Sequence, residues 1–279
     1  MGLAAPVVNA PMGGAAGGRL AAAVTRAGGL GMVGMGSAGT AAALAAELGE
    51  KDSLPRPFGI GLVHWVMAAQ PALLDEALAA RPTVLSVSFG DQWAWVDQAH
   101  AAGALAVAQI ADPDAAQRAV DAGVDLVVAR GAEGGGHGEP RIGTLPLLAE
   151  VLDRVDVPVL AAGGIGSARA LAAVLAAGAS AAWVGTAFAA CPEALTQTAA
   201  RDAIVAARSD ATVLTREFDT AAGYPWPATL PERVLTDDRG RATPVNAGQA
   251  VGSIATVETA AEVMTRLCDG AAALLGRWS

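Results

Sequence analysis

Lysine is almost missing from this chain: of its 18 Lys and Arg residues in 279, only Lys51 is lysine. It stands in the polar stretch Gly49-Glu50-Lys51-Asp52-Ser53, which reads as a surface loop after a helix. A Schiff-base mechanism needs a desolvated lysine and finds none to build on here. Cysteine is scarce too. Cys191 and Cys268 are too few for a disulfide framework, so a reduced, cytoplasmic setting is expected. The histidines are His64, His100 and His137, with no second His or Cys at metal-ligand spacing, and no metal site is expected. A Gly-x-Ser-x-Gly nucleophile elbow is absent as well. Positive charge is short overall. The net charge of −9 leaves no cationic stripe for nucleic acid or an anionic membrane surface, and neither is expected as a partner.

No basic segment precedes an apolar run near Met1, so a secretory signal is not expected. Two uncharged stretches, Ala27–Ala46 and Ala170–Pro192, exceed a membrane-spanning length. Each breaks at glycines into a strand-like and a helix-like half, and a soluble protein is the expectation.

What the chain has in quantity is apolar surface. At 53% hydrophobic residues it can bury enough area to offset its conformational entropy, which excludes disorder. Short apolar runs recur at Pro6–Met12, Gly29–Met35, Phe58–Val63, Thr83–Phe89, Ala104–Ala111, Val124–Arg130, Val157–Ala162 and Ala181–Phe188. Most are nearly continuous in Val, Ile, Leu and Ala, as strands buried on both faces are. Helical stretches follow at Arg19–Arg26, Thr40–Leu48, Pro71–Ala80, Trp93–Ala102, Pro113–Ala122 and Ala168–Ala177. Asp112 and Ser167 are placed as N-caps. Eight strand–helix units predict an α/β fold, a (β/α)8 TIM barrel. Its core spans residues 1–195. Residues 196–279 form a C-terminal helical and irregular extension packed on the same domain, with helices at Glu193–Ala207 and Val257–Leu275. The stretch 208–255 is irregular, and Tyr224 and Trp226 favour a packed lid over the barrel mouth.

Functional groups of such a barrel collect at the carboxyl ends of its strands. After the seventh run comes Gly163-Gly164-Ile165-Gly166-Ser167, leading into a helix, and after the eighth comes Gly185-Thr186. Glycine lets backbone N–H groups approach an anion, and a helix N-terminus adds a favourable dipole, so a phosphate is expected there. Asn9-Ala10-Pro11-Met12-Gly13-Gly14 gives a stiff apolar mouth to the first run, suited to a planar ligand. His137 is wedged in Gly131-Ala132-Glu133-Gly134-Gly135-Gly136-His137-Gly138, where backbone and ligand can both reach an imidazole that titrates near neutrality. A catalytic or substrate-orienting role is expected of it.

Taken in order, Ala10-Pro11-Met12-Gly13, Ser86-Val87-Ser88-Phe89-Gly90, Gly131 to His137, Ala162-Gly163-Gly164-Ile165 and Gly185-Thr186 make the chain resemble the nitronate monooxygenases. That flavin-dependent family includes FMN-containing enoyl-acyl-carrier-protein reductases. The likeness covers roughly residues 5–195, and Trp226-Pro227 is similar to the linker of bacterial members. The resemblance implies FMN bound non-covalently at the barrel mouth, with Ala10, Pro11, Met12 and Gly13 along the isoalloxazine and Gln109 reaching the ring. Gly135 and Gly136 would pass close to the cofactor, and Gly163, Gly164, Gly185 and Thr186 would hold its phosphate. His137 matches the family's active-site histidine, set to bind or deprotonate the substrate beside flavin N5. Among the cofactor-binding positions, Gly61 stands where the family usually has asparagine, so a flavin hydrogen bond is lost, or supplied by water or His64. His64, Tyr224 and Trp226 are the substrate-side candidates.

The expected activity is FMN-dependent oxidation of an alkyl nitronate or nitroalkane with O2 to a carbonyl compound and nitrite. Two alternatives stand beside it: an NAD(P)H-dependent flavin reductase acting on a quinone or enoyl thioester, and a flavin- or phosphate-binding barrel without turnover. The sequence leaves the oligomeric state open, a homodimer included.

Overall fold

The computed structural model describes residues 2–49 and 54–277, so Lys51 lies outside the described residues. The eight apolar runs form strands β1 (Val7–Asn9), β2 (Gly31–Gly34), β3 (Phe58–Val63), β4 (Val84–Ser88), β5 (Leu105–Ile110) and β6 (Leu126–Arg130). A two-residue β7 (Gly136–His137) follows, and then β8 (Val159–Ala162) and β9 (Ala181–Val184) complete the set. All but β7 pair in parallel in the order β1-β9-β8-β6-β5-β4-β3-β2, with helices between them. The last run, expected as a strand to Phe188, ends at Val184, and Thr186–Ala189 is a short helix.

The two ends of that order, β1 and β2, meet at one bridge, Val8 to Leu30. The seam is narrow, and a side chain completes it. Asn9 is fully buried, its Nδ2 donates to the Met32 carbonyl at 2.9 Å, and its Oδ1 accepts from the Met32 N–H at 2.8 Å. The amide thus stands in for a missing backbone pair in the ladder.

Alternation along each strand divides the core in two. Val8, Met32, Val84, Val107, Leu126, Val128, Leu160 and Trp183 fill the barrel interior, while Val7, Ile60, Leu85, Val127 and Ala161 pack against the surrounding helices. The same parity decides which residue of each strand end looks into the mouth. It selects Gln109 after Leu105 and Val107, and Arg130 after Leu126 and Val128.

The outer helices begin with α1 (Gly18–Arg26), α2 (Ala41–Leu48), α3 (His64–Ala69), α4 (Pro71–Ala79), α5 (Ala94–Ala101) and α6 (Pro113–Asp121). They are followed by α7 (Thr144–Leu152), α8 (Ala168–Ala176) and the short α9 (Thr186–Ala189). The Asp112 and Ser167 side chains accept from the N–H of Ala115 and Ala170, as N-caps do. Helix α7 has no counterpart in the sequence reading, because Pro146 falls in its first turn, where proline is tolerated but breaks the helical pattern.

The stretch 208–255 is not irregular. It holds β10 (Thr212–Thr215), α11 (Glu217–Ala222), β11 (Glu232–Thr236) and β12 (Ala242–Asn246) as an antiparallel sheet, preceded by α10 (Thr198–Ala206). These strands are short and rich in Thr, and β12 carries Pro244, which an edge strand accommodates. Strand β7 joins this sheet, with Glu232 paired to His137 and Arg233 to Gly136. The C-terminal helix α12 (Ala260–Leu275) starts in a Thr259–Glu262 capping box and packs on α8 and α1. No helix among the described residues is long and apolar enough to cross a membrane.

Replacing Asn9 with leucine leaves the Met32 N–H and carbonyl buried without partners. Unfolding in urea should show a loss of about 2–5 kcal/mol, against well under 1 kcal/mol for the exposed control Gln98→Leu.

Candidate active site

A cavity of about 790 Å3 opens at the carboxyl ends of the barrel strands, a size that suits a mononucleotide. Its floor is the Ala10–Gly13 segment, which follows β1 and folds inward across the mouth. That path needs room. A Cβ on Gly34 would lie 2.2 Å from the Pro11 carbonyl carbon, and one on Gly61 would lie 2.3 Å from both Cβ and Cγ of Pro11. Position 61 therefore has no space for the asparagine the family resemblance expects, because the Pro11 ring occupies it.

Gly163 and Gly164 adopt φ of +101° and +69°, a left-handed backbone that side-chain-bearing residues avoid, and lead into Ser167-capped α8. Beside them, Thr186 Oγ1 accepts from the Gly248 N–H at 2.9 Å, leaving its hydroxyl proton free to donate toward the cavity. Gly163, Gly164, Gly185 and Thr186 all line the cavity, an arrangement that could hold a phosphate. Gln109 lines it from β5, and its side-chain amide has no hydrogen-bond partner among the described residues. An apolar floor, an unengaged amide and an anion cradle fit the flavin mononucleotide that the resemblance implies.

Arg130 was missed by the sequence reading, although its parity with Leu126 and Val128 points it inward. Its side chain is buried, and Nη2 donates to the carbonyls of Gly134, Gly135 and Gly136 at 2.8, 3.2 and 3.1 Å. The guanidinium thus fixes the glycine loop that carries His137. Burial, with the nearby Arg233 charge, pushes its pKa down to about 10, so it remains a cation at neutral pH. A smaller cavity of about 320 Å3 shares Phe89, Gln109 and Arg130 with the first.

His137 lies in the cavity wall, held on three sides. Its Nε2 is 2.8 Å from Asp219 Oδ2 on α11. Its ring stacks on Trp226 with centroids 3.6 Å apart and planes 7° from parallel. The Phe89 ring meets it edge-on at 6.4 Å, from a backbone with φ of +71°. Asp219 is buried and accepts the Nε2–H, which leaves Nδ1, without a partner among the described residues, as the basic nitrogen. Burial pushes the His137 pKa below 6.5, Asp219 pulls it partly back, and the Arg130 charge adds to the lowering. The imidazole is neutral at physiological pH.

Of the three substrate-side candidates, Trp226 lines the cavity, and its Nε1 donates to Ser37 Oγ at 2.9 Å. His64 and Tyr224 do not line it. Helix α3 begins at His64 and turns its ring over Gly90, where a Cβ would come within 2.2 Å of the imidazole, so His64 does not replace the missing asparagine. Tyr224 packs on Trp65 at 6.0 Å, behind Trp226. Asp219 and Glu232 were also missed. Each is far from His137 in the chain, and no local spacing marks either.

Comparison with known proteins follows the same pattern. The nitronate monooxygenase family profile matches residues 64–226. Over 85% of its length the chain is 32% identical to a (3aS,4S,5R,7aS)-5-hydroxy-7a-methyl-1-oxo-octahydro-1H-indene-4-carboxyl-CoA dehydrogenase from Rhodococcus jostii, of which the match spans 64%. It is 31% identical, over 77% of its length, to a nitronate monooxygenase from Pseudomonas aeruginosa, of which 74% is spanned. The chain therefore spans about two thirds to three quarters of these curated relatives. Among solved structures, FabK from Thermotoga maritima superposes with a TM-score of 0.87 at 26% identity, over 99% of this chain and 95% of that one. A nitroalkane oxidase from Streptomyces ansochromogenes gives 0.84 at 28%, over 100% and 99%.

Gly61→Asn should drive Pro11 off the floor, costing about 1–3 kcal/mol of stability and weakening FMN binding about tenfold or more by fluorescence titration. Adding Pro11→Gly, which removes both obstructing ring carbons, should recover part of the loss.

Proposed function

Because the chain belongs to the nitronate monooxygenase family, we propose that it binds FMN and oxidises an alkyl nitronate or nitroalkane with O2 to a carbonyl compound and nitrite. The observation that carries this reading is His137, with Nε2 committed to Asp219 and Nδ1 left basic in the cavity wall. When bound, FMN supplies the redox chemistry and the reaction with O2. The Gly163–Gly164 and Gly185–Thr186 cradle would hold its phosphate, and Gln109 its ring. From a nitroalkane, His137 Nδ1 takes the proton on the carbon bearing the nitro group. A nitronate has already lost that proton, and the imidazole then orients it. The buried Arg130 cation, in the cavity wall, supplies a counter-charge to a nitro or nitronate group. Two free cysteines, Cys191 and Cys268, accord with a cytoplasmic setting.

A second reading, an NAD(P)H-dependent reductase acting on a quinone or enoyl thioester, is favoured by the likeness to FabK and to a relative named for a CoA-thioester substrate. Consumption of NADH with an enoyl thioester, and no nitrite from any nitronate, would decide for it.

His137→Ala should cut nitrite release about 100-fold or more, with FMN still bound, as judged by the visible spectrum. Undiminished turnover would remove His137 from its role. The pH profile carries a sign. The neutral base exists above the lowered pKa, so nitroalkane turnover should hold through neutral pH and fall as pH drops through a value below 6.5. An acid limb centred well above 6.5 would contradict the assignment.

A further inference from the structure

Glu232 sits where the barrel loop and the C-terminal sheet join. It lies directly opposite His137 in the β7–β11 pair, so both side chains leave the ribbon on one face. It is 5% exposed, and its Oε1 is buried without a hydrogen-bond partner. Asn246 from β12 bonds the carboxyl, and Thr215 from β10 is its neutral cross-strand neighbour. Asp219 from α11 acts on both groups, as hydrogen-bond acceptor for His137 and as a like charge on Glu232. Arg130 from β6 bears on His137, and Arg233 turns to the other face, toward Ala132 O and Thr212 Oγ1.

Two carboxylates in one dry pocket cannot both ionise freely. Resting on the reading of His137 as the site's base, we propose that Glu232 is a positioning residue for it. Protonated Glu232 leaves Asp219 as the single carboxylate holding the Nε2–H, and ionised Glu232 strengthens His137's own hold on a proton. Burial and the Asp219 charge push the Glu232 pKa up to about 7, which puts the changeover near neutrality. Glu232 does not line the cavity and acts through its neighbours, so it and His137 titrate as one system.

The test is an NMR titration of the His137 imidazole in the full-length protein, with and without FMN, its signals assigned by their loss in His137→Gln. The wild type should show two steps, one near neutral pH, and Glu232→Gln, which keeps the shape and the Asn246 bond, should lose that step. Superimposable curves would overturn the proposal. Should Glu232→Gln fail to fold, infrared spectra of the wild type decide. A protonated-carboxyl C=O band should vanish between about pH 5 and about pH 9, and its absence throughout would overturn the proposal. Neither readout needs turnover. A coupled titration in a protein inert to nitronates would refute the functional reading alone, and nitrite release with an uncoupled His137 would refute the role of Glu232 alone.

Discussion

The site depends on a ladder two residues long. By pairing with Glu232 and Arg233, the Gly136–His137 segment ties a loop of the parallel barrel to an antiparallel sheet formed nearly 100 residues later in the chain. Without that pairing a loop with three consecutive glycines has no fixed course, since glycine loses the most conformational freedom on ordering. With it, the imidazole faces one carboxylate, one indole and the cavity. Arg130 secures the same loop from below through three carbonyls, so backbone order and positive charge come from one side chain.

A second constraint acts at the floor. The Pro11–Gly13 segment can cross the mouth only because β2 and β3 carry no side chain at 34 and 61. The loss of asparagine at position 61 and the inward course of Pro11 are thus one structural fact. An apolar floor takes the place of a polar contact, and on the proposed reading the hydrogen bonding to a flavin ring would fall to the rest of the wall, which Gln109 lines.

The barrel was legible because fully buried parallel strands leave nearly continuous apolar runs, and Gly or Pro marks their ends. The glycine-lined strand ends at 163–164 and 185 were legible because glycines at two adjacent strand ends are a local pattern. His137 stood out among glycines for the same reason. Arg130 was legible in principle, from strand parity, but its charge hid it at the end of an apolar run. The partners of His137 were not legible. Asp219 lies on a six-residue helix and Glu232 on a strand without clean alternation, and only the three-dimensional pairing brings them to the imidazole. His64 misled because a helix begins at that residue and carries the ring away from the mouth.

On the proposed reading, this mouth holds a flavin next to a base suited to nitro compounds. Anaerobic mixing of the FMN-loaded protein with an alkyl nitronate, followed in the visible spectrum, is the decisive measurement. Rapid loss of the oxidised flavin bands, with colour returning once O2 is admitted and nitrite is released, is the expected result. A preparation that takes up no FMN, or whose bound flavin is bleached by NADH or NADPH and never by a nitronate, would contradict it.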